Sequence, residues 1–287
     1  MYPEKGLSGW NISKYRHKGR KMGNGIYYPG RRRFLKLTMA ALAGGLLGFD
    51  SLAEALAHDR AKKRPYSKPC IAVIIDDIGY NRASALRFLD LGIPITFSIL
   101  PRLQYSEELA AEMISQGHEI MLHQPMEPRN RHMDPGPGAL YVGYERERIR
   151  GILEENISSL PEAIGMNNHM GSRFTECPAE MKEVLEIIKG NRLFFVDSVT
   201  TARSIAEKTA ENLGLDRARR NIFIDNQPAV SNILAQLEKL KKYALIHGSA
   251  IAIGHPHKKT ADALMTFLEN LKDHRICFSY ASNLVKS

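Results

Sequence analysis

In the stretch AVIIDDIGYN, residues 72–81, four apolar residues run directly into two adjacent aspartates. An apolar run without alternation is typical of a strand that is buried on both faces, as in a parallel sheet. Asp76 and Asp77 are like charges side by side, so they need a cation, a shared proton or a turn that points them apart. The stretch therefore predicts a buried strand that ends in a polar site.

The same pattern continues along the chain from Cys70. Short apolar runs alternate with segments of helical spacing, and Gly and Pro separate them. Such an alternation predicts an α/β fold in which helices cover a parallel sheet or barrel. We expect one domain over residues 69–287, preceded by a polar linker over residues 58–68.

Polar side chains recur where the predicted strands end. Carboxyl ends of parallel strands meet on one rim, where α/β proteins build their sites. Taken singly, an aspartate after a strand is most often a turn or helix-capping residue, and a histidine is most often a satisfied core or surface residue. Taken together, they predict a site for a divalent metal such as zinc, which accepts Asp and His ligands. These residues are Asp76, Asp77, His118, His123, His169, Asp197, Asp225, His255 and His257.

Several stretches carry a family resemblance. IIDDIG resembles the first motif, Thr-Phe-Asp-Asp-Gly, of carbohydrate esterases with the polysaccharide deacetylase fold, and GHEIMLHQPMEP resembles their second motif. With NNHMGSRFT, DNQ and AIAIGHPH, the combination is similar to the divergent polysaccharide deacetylase family over about residues 69–285. The resemblance implies a distorted (β/α) barrel in a single domain.

The resemblance also implies roles for individual residues. Asp76 matches the catalytic base, Asp77 a metal ligand and His123 the first metal histidine of the second motif. His255 matches the region that supplies the general acid, and Arg173 falls near the third motif, whose arginine helps to orient the base. By the same match His118 is structural, whereas Asp197 or Asp225 either orients a histidine or is a turn residue.

One position departs from the family pattern. The second metal histidine of the family falls four residues after the first, and Glu127 stands there. Three alternatives follow: Glu127 is the third ligand, His169 is the third ligand, or the site binds metal weakly.

The resemblance implies a metal-dependent hydrolase that removes acetyl groups from an envelope or extracellular glycan, with zinc as the expected cofactor and an acetylated polysaccharide as the partner. The alternative is a catalytically weakened protein of the same fold that binds such a glycan or acts as a scaffold. The loop MDPGPGAL, followed by Tyr141 and Tyr144, either walls a sugar groove or is an ordinary surface loop.

The positive charge of the chain is concentrated in a leader. Residues 1–69 carry 15 of the 40 Lys and Arg and 4 of the 31 Asp and Glu, so the remaining 25 basic and 27 acidic residues nearly balance. A basic leader of this kind does not indicate nucleic-acid binding by the domain. No nucleic-acid partner is therefore expected.

The leader, residues 1–57, has the order of an export signal. GRRRFLKL resembles a twin-arginine signal, the apolar run TMAALAGGLLGF follows, and Ala55-Leu56-Ala57 is a cleavage motif. We expect a periplasmic or extracellular location, with membrane contact only through an uncleaved leader. The alternatives are a membrane anchor, or a cytoplasmic metallohydrolase if the two arginines are chance. The three cysteines, Cys70, Cys177 and Cys277, allow one disulfide without indicating which pair forms it.

Overall fold

A computed structural model describes residues 68–271 and 275–287, which belong to one structural unit that begins at Pro65. The strands of these ranges are β1 (Cys70–Ile78), β2 (Ile95–Ile99), β3 (Glu119–Met126), β4 (Gly165–Met170), β5 (Phe194–Asp197), β6 (Arg217–Arg219), β7 (Ile222–Phe223), β8 (Ser249–Gly254) and β9 (Cys277–Ser279). The α-helices are α1 (Arg82–Leu86), α2 (Ser106–Ser115), α3 (Arg146–Ser158), α4 (Pro178–Gly190), α5 (Ala206–Asn212), α6 (Val230–His247), α7 (Lys258–Asn270) and α8 (Ala281–Leu284), and 3₁₀ turns lie at Leu89–Leu91 and Phe174–Glu176.

The strands form one sheet in the order β6-β5-β4-β3-β2-β1-β8-β7. Every pairing between these strands is parallel. The short strand β9 pairs with the beginning of β1, from Cys70↔Cys277 onward, before β2 joins β1 at Val73. Because all strands run the same way, their carboxyl ends share one rim, as the sequence predicted.

The sheet curls into a barrel, because the short connection between its two end strands, β6 and β7, requires them to lie near each other. Only Arg220 and Asn221 separate β6 from β7, and three Cα–Cα steps span at most about 11 Å. The Arg220 N–H donates to the carbonyl of Asp197 on β5, and the Asn221 N–H donates to the carbonyl of Ile251 on β8. The connecting chain thus joins β6 and β7, the two edges of the sheet. The predicted (β/α) barrel is confirmed.

Alternate residues of each strand point into the barrel, where a small apolar cluster fills the half nearest the strand beginnings. The helix α8 lies against this cluster through Ala281 and Leu284. A larger apolar core packs between the sheet and the helices. The interior is therefore filled at one end, which leaves the carboxyl ends of the strands for polar side chains. The inner cluster comprises Cys70, Ala72, Ile74, Met121, Phe194, Val196, Ile251, Ile253, Ala281, Leu284 and Val285.

Local structure departs from the sequence patterns in a few places. RASALRFLDLG predicts one helix, but α1 ends at Leu86 and a 3₁₀ turn follows, which Gly92 closes at φ 69°. A disulfide joins Cys70 to Cys277, and Cys177 is a free, half-buried thiol. No helix of the described ranges has the length and apolar character needed to cross a membrane. The predicted export signal, residues 1–57, lies outside the described residues.

Candidate metal and catalytic centre

Three potential metal ligands converge at the carboxyl end of the barrel. Asp77 Oδ1 lies 3.1 Å from His123 Nε2 and 2.9 Å from His169 Nδ1, and the two imidazole nitrogens are 3.1 Å apart. Tetrahedral zinc with bonds of 2.0–2.2 Å holds its ligands about 3.3 Å from one another. The donor set, one carboxylate and two imidazoles, therefore fits a zinc-like cation. We call Asp77, His123 and His169 the ligand triad.

Asn167 on β4 fixes the ring of His123. The Asn167 side-chain carbonyl can only accept, so His123 Nδ1, 2.7 Å away, carries the proton and donates it. The hydroxyl of Ser98 donates to the same oxygen at 2.5 Å. This arrangement turns the His123 Nε2 lone pair toward Asp77 and His169, as is usual for metal-binding histidines.

A local distortion of β1 lets two adjacent aspartates serve one site. In a regular strand Asp76 and Asp77 would point to opposite faces, but the β1–β2 register shifts between Ile75 and Ile78, and Asp77 has φ 58°. The bulge redirects the Asp77 side chain to the interior. Gly79 then continues at φ 130°, where a Cβ would lie 2.9 Å from the hydroxyl of Ser106.

Two further residues near the rim have left-handed backbones. Met170 directly follows His169 and has φ 52°, and Val199 follows β5 with φ 49°. A left-handed conformation is unfavourable for residues other than glycine, most of all for a β-branched one such as valine. Backbone strain of this kind is concentrated at functional sites.

Asp76 lies beside the triad and is buried, with 2% of its surface exposed. The side-chain amide of Asn167 donates to Asp76 Oδ1 at 2.8 Å, and Asp76 Oδ2 lies 3.7 Å from His123 Nε2. Burial raises the pKa of Asp76, and the nearby His123, His255 and Asn167 oppose that rise. A carboxylate with a raised pKa, held by one hydrogen bond beside a metal site, has the properties of a general base.

His255, after β8, stands across the site from Asp76 and is oriented by Asp225. Its Nδ1 lies 2.9 Å from Asp225 Oδ1, and its backbone N–H and the Thr260 hydroxyl donate to Oδ2 of the same carboxylate. Burial by itself lowers the pKa of His255, but the hydrogen bond and charge of Asp225 outweigh burial and raise it to about 9. The ring stacks on Phe223, and its Nε2 lies 3.9 Å from Asp77 Oδ2. The contacts of His255 therefore favour the protonated form of its ring in metal-free protein.

The family model of divergent polysaccharide deacetylases matches residues 73–285 of this chain. The chain belongs to that family. It is 33% identical over 208 residues to an uncharacterised protein of Haemophilus influenzae, a match that covers 72% of this chain and 74% of the relative. The matched range contains every residue of the site and the whole sheet except the first three residues of β1.

Solved structures of low identity share the fold. An uncharacterised protein from Agrobacterium tumefaciens, ATU2773, superposes with a TM-score of 0.73 at 21% identity, over 77% of this chain and 92% of that chain. A Mycobacterium smegmatis protein that is assigned provisionally as a polysaccharide deacetylase superposes with a TM-score of 0.50 at 14% identity, over 76% and 90%. At these identities the likeness concerns the fold alone.

Glu127 does not join the ligand triad, contrary to one of the sequence alternatives. Its Oε1 accepts from Arg173 Nη1 at 2.6 Å, and its Oε2 accepts from the N–H of Val142 at 2.8 Å. Because both oxygens are engaged, Glu127 ties two loops together. Arg173 accordingly pairs with Glu127, and no contact between Arg173 and Asp76 is seen among the described residues, so the role of Arg173 in orienting the base stays a prediction.

Two further residues that the sequence singled out, Asp197 and His118, have structural contacts. Asp197 accepts from the N–H of Val199 and from the Ser204 hydroxyl, so it is a turn residue, in contrast to Asp225. His118 packs edge-on against Phe97, as a structural residue does.

Two residues near the centre escaped the sequence analysis. Asn167 links His123 to Asp76, and its signal was the asparagine pair just before His169. Arg220 donates to two carbonyls of the turn after β5, lies 3.8 Å over the Phe223 ring and acts electrostatically on Asp76. Burial lowers the pKa of Arg220 to about 10. Arg220 thus holds the turn after β5, and it lies in none of the motifs quoted from the sequence.

Proposed function

We propose that this chain is a metal-dependent deacetylase that removes acetyl groups from a glycan of the cell envelope. The observation that carries the proposal is the ligand triad, with Asp76 and His255 beside it and the rings of His123 and His255 fixed by Asn167 and Asp225. Membership of the divergent polysaccharide deacetylase family supports an acetylated polysaccharide as the substrate class.

Asp77, His123 and His169 would hold the cation, for which zinc is the best candidate because the donors are one carboxylate and two imidazoles. When bound, such a cation polarises an acetyl carbonyl and lowers the pKa of a water molecule to about 7. The buried Asp76 accepts the proton of the attacking water, and the amide of Asn167 keeps its carboxylate in place.

His255 donates a proton to the departing amine or hydroxyl of the sugar. Asp225 holds Nδ1, so the Nε2 proton points into the site. The charge of Asp225 keeps the ring protonated until a substrate arrives, which a general acid requires. The base and the acid are thus two different residues: Asp76 begins the reaction without the proton, and His255 begins it protonated.

We also propose that the chain works outside the cytoplasm. The twin-arginine pattern at Arg31-Arg32 supports export. The disulfide between Cys70 and Cys277 supports it independently, because disulfides persist in oxidising compartments.

The test measures acetate release from N-acetylated oligosaccharides by the full chain, together with zinc content by elemental mass spectrometry. We expect about one zinc per chain, acetate release that a chelator abolishes, and loss of both in His123→Ala. His247→Ala is the matched control, since His247 lies at the end of α6 with its ring on Tyr243. A parent protein that binds no metal after reconstitution would favour the glycan-binding or scaffold alternative.

A further inference from the structure

A cavity beyond the end of β3 has no role in the proposed chemistry. Its volume is about 590 Å³, within the range of about 300–1,000 Å³ that is usual for small-ligand sites. We call it the outer cavity. Its lining residues are Glu127, Pro128, Arg131, His132, Met133, Asp134, Tyr141 and Arg173.

The outer cavity adjoins the strand that carries His123, because Glu127, which lines the cavity, directly follows β3. Glu127 follows His123 by four residues along the strand direction, a distance of about 13 Å. Tyr80 follows Asp77 by three residues, and 59% of its surface is exposed. Its hydroxyl lies 3.6 Å from the point that a Cβ at Gly136 would occupy, so it lies beside the loop that carries Asp134.

The charged side chains that line the cavity differ in how far other protein groups engage them, and the guanidinium of Arg131 is the least engaged. Both oxygens of Glu127 are engaged by Arg173 and by the Val142 N–H, and Asp134 Oδ1 accepts from a backbone N–H of its own loop. The Arg131 guanidinium has no ion pair or hydrogen bond within residues 68–271 and 275–287. Its planar set of donors matches a carboxylate.

Two side chains give the cavity an apolar surface as well. Met133 has 48% of its surface exposed, and Tyr141 is half-buried with its ring 5.5 Å from the ring of Tyr144. An aromatic ring and a thioether beside a free guanidinium suit a sugar ring, which has apolar C–H faces and polar edges.

We propose that the outer cavity binds a further sugar unit of the same glycan, and that Arg131 pairs with a carboxylate on that unit. The inference rests on the proposed function and names its substrate as an acidic glycan. The Glu127–Arg173 pair acts as a positioning element, because it joins the two loops that form the cavity wall.

The test compares two tetrasaccharides of equal length by isothermal titration calorimetry. A hyaluronan tetrasaccharide alternates N-acetylglucosamine with glucuronic acid and carries carboxylates, whereas chitotetraose is neutral. The full chain is used in an Asp76→Asn background, so that hydrolysis does not alter the ligand. Arg131→Gln is compared with Arg129→Gln, since Arg129 is two residues away, pairs with Glu176 and does not line the cavity.

We expect the acidic tetrasaccharide to bind about fivefold more tightly than the neutral one, the size expected for a solvent-accessible ion pair. Arg131→Gln should remove that difference, Arg129→Gln should keep it, and added salt should reduce it. Equal affinities for the two ligands, or equal losses in the two variants, would overturn the inference.

Acetate release by the parent chain separates this result from the proposed function. If neither oligosaccharide loses acetate but the dependence on Arg131 holds, the cavity assignment stands and the proposed activity fails. If acetate is released but Arg131→Gln binds both ligands as the parent does, the cavity assignment fails alone.

Discussion

His169 Nδ1 lies 2.9 Å from Asp77 Oδ1, although the two residues are on strands that are three positions apart in the sheet. The curvature of the sheet brings their ends together. The carboxylate of Glu127 is meanwhile held by Arg173 and a backbone amide. The geometry therefore favours His169 over Glu127 as the third ligand. His169, on the strand next to that of His123, would take the place of the family's second histidine.

The first prediction concerns this third ligand. His169→Ala should lower the zinc content from about one per chain to near zero, because a two-residue site binds zinc weakly. Glu127→Ala should keep the metal. Elemental mass spectrometry of dialysed protein measures both.

Glu127→Ala should instead lower the free energy of unfolding, because it leaves Arg173 and the Val142 N–H without their acceptor. The expected loss is about 1–3 kcal/mol. Retention of metal by His169→Ala together with its loss from Glu127→Ala would reverse the assignment.

The second prediction separates the two adjacent aspartates. Asp76→Asn should keep the metal and lower the rate of acetate release by about 10²–10⁴-fold, the usual contribution of a general base. Asp77→Asn should lose the metal, since Asp77 contributes a ligand atom. Parallel metal and acetate assays test the pair, and loss of metal from Asp76→Asn would show that the two roles are shared or exchanged.

The third prediction concerns the protonation of His255. In metal-free protein the imidazole of His255 should titrate near pH 9. Asp225→Asn should lower that pKa, because it removes the charge that outweighs burial. Two-dimensional NMR of the ring nitrogens measures the titration, and a pKa that Asp225→Asn leaves unchanged would contradict the role given to Asp225.

The same pair makes stability depend on pH with a definite sign. The pKa of His255 is higher in the folded chain than its ordinary value of 6.5. The His255–Asp225 interaction therefore stabilises the fold fully below about pH 6.5 and less as the pH rises toward 9. As the pH rises from 6.5 to 9, the denaturant midpoint of metal-free parent protein should decrease more than that of Asp225→Asn.

The sequence was sufficient to predict most of the architecture. Uninterrupted apolar runs such as Ala72–Ile75 are typical of parallel strands, and the residues that follow them lie on one rim because parallel strands end together. Asp77, His123 and His169 are among the strand-end residues named from the sequence, and the structure brings these three together. Their role as metal ligands stays a prediction.

The remaining details depended on long-range geometry that local patterns do not encode. Family motifs drew attention to Glu127 and to Arg173 separately. The ion pair between them forms because two loops meet, and no local pattern shows that. The position of Arg220 depends on the two-residue connection between β6 and β7, and β6 is too short to give a periodic signal. The disulfide pairing likewise follows from β9 joining β1, which three scattered cysteines cannot reveal.

The last prediction concerns that disulfide. Cys70 and Cys277 are paired residues on neighbouring parallel strands, with Cα atoms 4.6 Å apart and 207 residues between them in sequence. Cross-linking a loop of this length restricts the unfolded chain, so Cys277→Ser should lower the free energy of unfolding by about 2–4 kcal/mol. Cys177→Ser is the matched control, because its half-buried thiol donates only a weak hydrogen bond to a backbone carbonyl. Urea unfolding of oxidised protein measures both variants. Equal midpoints for Cys277→Ser and Cys177→Ser would show that the link adds no stability and would remove one of the two supports for export.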